Sequence, residues 1–182
     1  MTSRVLVAGI GNIFMGDDAF GCEVIRRLAG FQFPENVRIF DFGIRGFDLA
    51  YALMEGYDLT ILVDAVPRGE PAGTVYTIEP DLRQLEQPDQ ANLVVETHGM
   101  NPMKVLQLVN SMGGTFKKIL LVGCEPESFG PEEGQMGLSP SVAASVDRAV
   151  QVINDLISEF LGNPALWEAN KNGQEQWVSE RV

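Results

Sequence analysis

The sequence predicts an α/β fold, a three-layer sandwich in which a twisted, mostly parallel sheet of about five strands lies between helices. Strand-like apolar runs alternate with helix-like segments along the chain, which is typical of this class. The run "DLTILVDAV" at 58–66 is almost continuously apolar, as expected of a strand covered on both faces. A length of 182 residues indicates one domain with a substantial hydrophobic core.

The first half of the chain contains four predicted strands and two predicted helices. The strands comprise residues 4–11, 37–42, 58–66 and a more exposed 73–80. A helix after the first strand is indicated by apolar residues at helical spacing, namely Phe20, Val24, Ile25 and Leu28. A second helix is predicted over 46–56 and ends at Gly56.

The second half contains one more strand between two helices. Asn101 followed by Pro102 predicts a helix start, because asparagine is a good N-cap and proline suits the first helical position. The strand is predicted over 117–126, and a long amphipathic helix begins at Ser139-Pro140 and ends near Gly162. We therefore expect a single domain over 1–162 and a polar, loosely ordered tail over 163–182.

Composition narrows the function classes. The formal net charge of -12 argues against nucleic-acid binding, which requires clustered Lys and Arg, and suits a basic partner or a metal cation, although solubility alone explains it equally well. No apolar stretch is long enough to span a membrane, and the N-terminal residues lack the features of a signal peptide, so a cytoplasmic location is expected. Two distant cysteines, Cys22 and Cys124, are expected to be buried free thiols.

The segment "GIGNIFMGDDAFG" at 9–21 begins like a nucleotide-binding loop and then departs from that pattern. The third glycine of the dinucleotide fingerprint is replaced by Phe14. Asp17 and Asp18 would repel a pyrophosphate at the start of the following helix. One of the two aspartates could instead cap that helix, but a helix needs only one N-cap residue, so the other carboxylate would remain available for a ligand. A nucleotide-dependent enzyme is therefore a weak alternative, and no nucleotide cofactor is expected.

Two further residues are candidates for the same edge of the sheet. Asp64 ends an apolar strand, and ligands of open α/β sheets gather outside the carboxyl ends of strands. His98, the single histidine, precedes a helix start. Two carboxylates and an imidazole suit a divalent transition metal, although Asp64 could be a turn former and His98 a surface residue. From the residues alone, the sequence predicts an α/β domain with a carboxylate–histidine metal site.

Four segments in this order resemble the nickel–iron hydrogenase maturation endopeptidases: "GIGNIFMGDDAFG", "LVDAV", "THGM" and "LVGCEPES" with "GLSPSV". The match covers about residues 4–160, nearly the whole predicted domain. The resemblance implies a peptidase, aspartic-type in some classifications, that removes a short C-terminal extension from the hydrogenase large-subunit precursor once nickel is inserted. It also implies that Asp18, Asp64 and His98 contact the metal, which is the substrate's own nickel.

The resemblance implies a catalytic set of Asp18, Asp64, His98 and Asp41. Asp41, in "FDFGIRG", matches an acid that follows the second strand in the family, and either it or Asp17 could assist a water. Arg45 could pair with Asp41, bind a substrate carboxylate, or be a surface residue. The expected partner is the nickel-loaded precursor, and the protein is expected to act as a monomer. The alternative to a peptidase is an assembly chaperone that binds nickel without cleavage.

Overall fold

The computed structural model describes residues 3–83 and 100–162. Within them the chain forms five strands and four α-helices, with a short 3-10 helix at Gly16–Ala19. In chain order the elements are β1 (Val5–Ile10), α1 (Phe20–Leu28), β2 (Val37–Gly43), α2 (Gly46–Leu53), β3 (Leu59–Ala65), β4 (Val75–Ile78), α3 (Pro102–Ser111), β5 (Lys118–Cys124) and α4 (Pro140–Gly162).

The strands form one sheet in the order β2-β1-β3-β5-β4. The first four in that order are parallel, and β4 runs antiparallel to β5 at the edge. After β1 the chain moves outward to β2 and then returns past β1 to β3. The boundary between β1 and β3 is therefore the topological switch point, and an α/β sheet binds its ligands outside the carboxyl ends of the strands at such a point.

Helices cover both faces of the sheet, which confirms the predicted three-layer sandwich. Alternate residues of β1 contribute to opposite faces, since Val5 and Val7 pack with α1 and α4 whereas Leu6 and Ile10 pack with α2 and α3. All of β1 and β3 is buried, as the continuous apolar runs predicted. The four residues of β4 are half-buried, as expected of an exposed edge strand.

The start of α3 agrees with the prediction from sequence, and the end of α2 needs one small correction. The Asn101 side chain accepts a hydrogen bond of 2.9 Å from the Met103 N–H, and Pro102 is the first helical residue, so the predicted start of α3 is confirmed. Helix α2 ends at Leu53 rather than Gly56, because residues 54–56 form a turn closed by the bond from Gly56 N–H to the Leu53 carbonyl. No described helix is both long and apolar enough to cross a membrane. The predicted tail, 163–182, lies outside the described residues.

Candidate active site

The glycines of the β1–α1 loop are required by close packing. Gly11 has φ +137°, and a Cβ there would lie 1.7 Å from the Asp18 carbonyl oxygen. A Cβ on Gly21, in the first turn of α1, would lie 2.2 Å from the carbonyl oxygens of Ile10 and Val63. The loop therefore folds back on itself, and α1 sits directly on the ends of β1 and β3. This packing explains the glycine pattern without a bound phosphate.

Asp17 is fully buried and holds the loop in place. One carboxylate oxygen accepts hydrogen bonds from the main-chain N–H groups of Glu127 and Ser128 at 2.8 and 3.0 Å and from the Ser139 hydroxyl at 2.9 Å. The other oxygen accepts the Ser139 main-chain N–H at 2.6 Å. Because both oxygens are engaged in a buried network, Asp17 acts as a structural acceptor. It is therefore a poor candidate for the carboxylate that assists a water.

Main-chain hydrogen bonds attach the same loop to the segment that precedes α4. Gly16 N–H donates to the Gln135 carbonyl at 2.7 Å, and Gln135 N–H donates to the Phe14 carbonyl at 2.8 Å. Asp17 N–H donates to the Ser128 carbonyl at 3.1 Å. The two sequence motifs that are farthest apart in the chain thus form one structural unit, in which the later motif fixes the conformation of the earlier one.

Asp18 and Asp64 meet at the switch point between β1 and β3. Asp18 accepts the Asn12 N–H at 2.7 Å, and Asp64 accepts the Ala65 N–H at 2.9 Å; both side chains are buried. Burial raises the pKa of Asp64 well above its ordinary range, and the neighbouring Asp18 carboxylate raises it further. Burial also raises the pKa of Asp18, against the lowering effect of the Asn12 hydrogen bond. A cation placed between them would relieve both penalties.

His98, the third residue of the predicted set, lies outside the described residues. Within residues 3–83 and 100–162, no three His, Cys, Asp or Glu side chains are placed so that they could hold a metal ion. Asp18 and Asp64 therefore need at least one further ligand from elsewhere to complete a metal site. The metal-contacting role of Asp18, Asp64 and His98 stays a prediction.

Comparison with known proteins identifies the family. A family model described as hydrogenase maturation protease, HycI, matches residues 22–156. The chain belongs to the hydrogenase maturation protease family. The hydrogenase 2 maturation protease of Escherichia coli K12 is 32% identical over 151 residues, which cover 82% of this chain and 88% of that protein. The family assignment makes this chain a hydrolase, specifically a peptidase.

Solved structures of the family share the fold. The hydrogenase maturating endopeptidase HybD of E. coli superposes with a TM-score of 0.68 at 27% identity, covering 86% of this chain and 93% of that one. A hydrogenase 2 maturation peptidase from a Thaumarchaeota archaeon gives a TM-score of 0.62 at 32% identity, covering 88% and 99%. The α/β sandwich is therefore the fold of known maturation proteases.

In this protease, Asp41 lies at the carboxyl end of β2, beside the loop that carries Asp18. Its carboxylate accepts the Gly43 N–H at 2.9 Å, and the side chain is exposed. Arg45 donates to the main-chain carbonyls of Asp41 and Phe42, the latter at 3.1 Å, and lies 3.7 Å from the Asp48 carboxylate. Arg45 thus stabilises the backbone of the turn that carries Asp41 and is not paired with the Asp41 carboxylate.

Cys22 is the residue of the protease's site that the sequence analysis missed. It is a buried thiol, as predicted, but it lies among Asp41, Asp18 and Asp64 and donates to the Gly11 carbonyl at 3.4 Å. Burial raises the pKa of Cys22 to about 12, with further contributions from these three carboxylates, above all Asp41. The thiol is therefore protonated at neutral pH, which excludes it as a ready thiolate nucleophile. Its spacing of four residues from Asp18 was the one available signal.

Proposed function

We propose that this protease is an endopeptidase that removes the C-terminal extension of a nickel–iron hydrogenase large-subunit precursor after nickel insertion. In this proposal Asp18, Asp64 and His98 contact the nickel held by the precursor. The observation that carries it is the pair of buried carboxylates, Asp18 and Asp64, at the switch point of the sheet. Burial disfavours the ionised form of both groups, and the charge of Asp18 disfavours that of Asp64 further; a cation that arrives with the substrate would relieve both effects.

The hydrogen bonding of the two carboxylates fits this role. Asn12 N–H and Ala65 N–H each hold one carboxylate oxygen, which orients the two groups before substrate binds. Within the described residues the site supplies two oxygen donors and no third ligand, so it suits a metal whose other ligands come from the precursor and from His98. A precursor without nickel would lack this anchor, and recognition would then act as proofreading.

The nickel acts mainly as a template that positions the scissile peptide. Asp41 is the carboxylate we assign to the assistance of a water, because it is exposed beside the pair whereas Asp17 is buried in its own hydrogen-bond network. Burial and the nearby carboxylates of Asp41, Asp18 and Asp64 raise the pKa of the Cys22 thiol, so it stays protonated and adds no negative charge to the site. We place the protease in the cytoplasm, as a monomer, during hydrogenase assembly.

The test is mass spectrometry of the large-subunit precursor after incubation with the protease. The precursor is prepared with and without nickel, and His98→Ala is run in parallel with the unmodified chain. We expect loss of a short C-terminal peptide only from the nickel-loaded precursor and only when His98 is intact. Asp147→Asn, a change at an exposed aspartate on α4 paired with Arg27, is the matched control and should cleave normally.

The alternative outcomes separate the parts of the proposal. Binding of the nickel-loaded precursor without any cleavage would indicate a nickel-binding assembly chaperone. Cleavage that does not depend on nickel would leave the peptidase activity and contradict recognition through the metal. Normal cleavage by His98→Ala would remove His98 from the site and leave Asp18 and Asp64 to be tested alone.

A further inference from the structure

Arg68 lies next to the acidic site, in the loop between β3 and β4. It follows Asp64 by four residues, at the carboxyl edge of the sheet. Its side chain is exposed, and the guanidinium carbon lies 5.1 Å from the centre of the Tyr76 ring. Such a cation–π contact orients an arginine and leaves its charge in place. One side of the acidic site therefore carries a positive charge.

Strand pairing places Tyr76, and with it Arg68, on the β4 side of Asp64. Asp64 pairs with Gly123 of β5, and Gly123 pairs with Tyr76 of β4, so the three residues form one row across the sheet. Residues in such a row point to the same face. The Tyr76 ring covers the glycine, since a Cβ on Gly123 would lie 2.3 Å from it. Burial raises the pKa of the Tyr76 hydroxyl, the Arg68 cation lowers it and the Asp64 carboxylate raises it, so both charges act on this one ring.

The loop that carries Arg68 is held by a buried carboxylate. Glu125 accepts the main-chain N–H groups of Arg68 at 2.7 Å and of Gly69 at 3.2 Å, one on each oxygen. The Tyr76 hydroxyl donates to the Val66 carbonyl at the start of the same loop. Because main-chain donors engage both Glu125 oxygens, the loop is fixed while the Arg68 guanidinium stays exposed.

Arg68 differs from most arginines of the described chain in having no ion pair. A carboxylate lies within 4 Å of Arg4, Arg26, Arg27, Arg38, Arg45 and Arg83. Within residues 3–83 and 100–162, the remaining arginines are Arg68 and Arg148, and neither has a carboxylate within that distance. Arg148 is exposed on α4, whereas Arg68 lies at the site. In a chain of net charge -12, Arg68 is therefore a cation available to an anionic part of a substrate.

We propose that Arg68 binds a carboxylate of the precursor's C-terminal extension and so holds the extension on the β4 side of the site. This inference rests on the proposed function. The extension ends at the C-terminus of the precursor, so it carries a free carboxylate, and any acidic side chain in it carries the same group. Asp18, Asp64 and Asp41 repel such a group, and Arg68 compensates for that repulsion at one defined place.

The test is steady-state kinetics on the nickel-loaded precursor with Arg68→Gln. We expect KM to rise about threefold to fivefold and kcat to stay within about twofold, because an exposed charge pair is lost and the carboxylates of the site are unchanged. Arg68→Lys keeps the charge and should keep most of the affinity, whereas Arg68→Glu should raise KM about tenfold or more. The matched control is Arg148→Gln, at the other described arginine without an ion pair, and it should leave KM unchanged.

Two altered precursors identify the carboxylate that Arg68 binds. In one, the C-terminal carboxylate is replaced by an amide; in the other, the Asp and Glu residues of the extension are replaced by Asn and Gln. The precursor that has lost the partner of Arg68 should raise the KM of the unmodified protease by the same factor as Arg68→Gln does. On that precursor, Arg68→Gln should have no further effect.

Two results would overturn the inference. Equal KM values for Arg68→Gln and Arg148→Gln would remove Arg68 from substrate binding. An Arg68→Gln effect of the same size on the unaltered precursor and on both altered ones would show that it does not depend on a carboxylate of the extension. An unmodified protease that cleaves no precursor would contradict the proposed function itself, and that failure is distinguishable because it appears before any variant is tested.

Discussion

Asp17 and Asp18 are adjacent in the short 3-10 helix at Gly16–Ala19, yet their surroundings differ sharply. Asp17 accepts four hydrogen bonds from the segment before α4, so its negative charge is matched by donors. Asp18 accepts one main-chain N–H, and its negative charge raises the pKa of the neighbouring Asp64. Asp17 therefore has four hydrogen-bond donors from the protein, whereas the buried Asp18 has one.

This difference distinguishes a carboxylate that the fold satisfies from one that, as we propose, contacts a metal. A buried carboxylate with several donors stabilises the native state and has little capacity for another ligand. A buried carboxylate next to a second one destabilises the native state until a cation or a proton arrives. The residue type and the sequence neighbourhood are the same, so the donors supplied by the rest of the fold decide the role.

The largest effect we expect is on catalysis, when Asp18 or Asp64 is replaced. Asp18→Asn and Asp64→Asn should each lower kcat/KM on the nickel-loaded precursor by about 10²-fold or more, because a misplaced scissile bond costs at least that much. The measurement is the rate of release of the C-terminal peptide. Activity within a few fold of the unmodified chain would place the metal contact elsewhere. Asp147→Asn controls for the loss of an exposed carboxylate.

The next largest effect we expect is a loss of stability when Asp17 is replaced. Asp17→Ala should lower the free energy of unfolding by about 3 kcal/mol, because the main-chain N–H groups of Glu127, Ser128 and Ser139 and the Ser139 hydroxyl all lose their acceptor. Urea unfolding followed by circular dichroism measures it. Asp147→Ala, at an exposed pair, should change the same quantity by less than about 0.5 kcal/mol. A loss no larger than that of this control would mean that the network is not stabilising.

Replacing Asp64 should have the opposite effect and increase the stability of the protein. Asp64→Asn should raise the free energy of unfolding at pH 7 by about 0.5–2 kcal/mol, a range typical of relieving a functional site. The native pKa of Asp64 is raised above its ordinary value of 3.8, so the native state holds a proton that the unfolded state has released. Stability conferred by that group falls as the pH rises from about 4 through the native pKa.

The measurement for this prediction is a series of urea titrations of both proteins from acidic to neutral pH. The difference between Asp64→Asn and the unmodified chain should be small near pH 4 and should grow as the pH rises. A difference that does not change with pH would show that Asp64 has the same proton affinity in the folded and unfolded chains.

The comparison also shows how far the sequence alone could predict the site. Strand positions follow from local patterns, and they place Asp18 and Asp64 at the carboxyl edge of the sheet, as predicted. The donors to Asp17 come from residues more than 100 positions later in the chain, and no local pattern indicates such a contact. The surroundings of Cys22 depend likewise on packing between α1 and the ends of the strands. The sequence therefore predicted where the acids lie, whereas the different hydrogen bonding of Asp17 and Asp18 became visible only in the tertiary structure.

The smallest effect we expect comes from removing one of the four hydrogen bonds to Asp17. Ser139 donates to Asp17 through both its main-chain N–H at 2.6 Å and its hydroxyl at 2.9 Å. Ser139→Ala removes only the hydroxyl, so the free energy of unfolding should fall by about 1 kcal/mol, the usual net contribution of one hydrogen bond. Urea unfolding measures it beside Asp17→Ala. A Ser139→Ala loss as large as that of Asp17→Ala would mean that the hydroxyl, and not the set of main-chain donors, keeps this side of the turn in place.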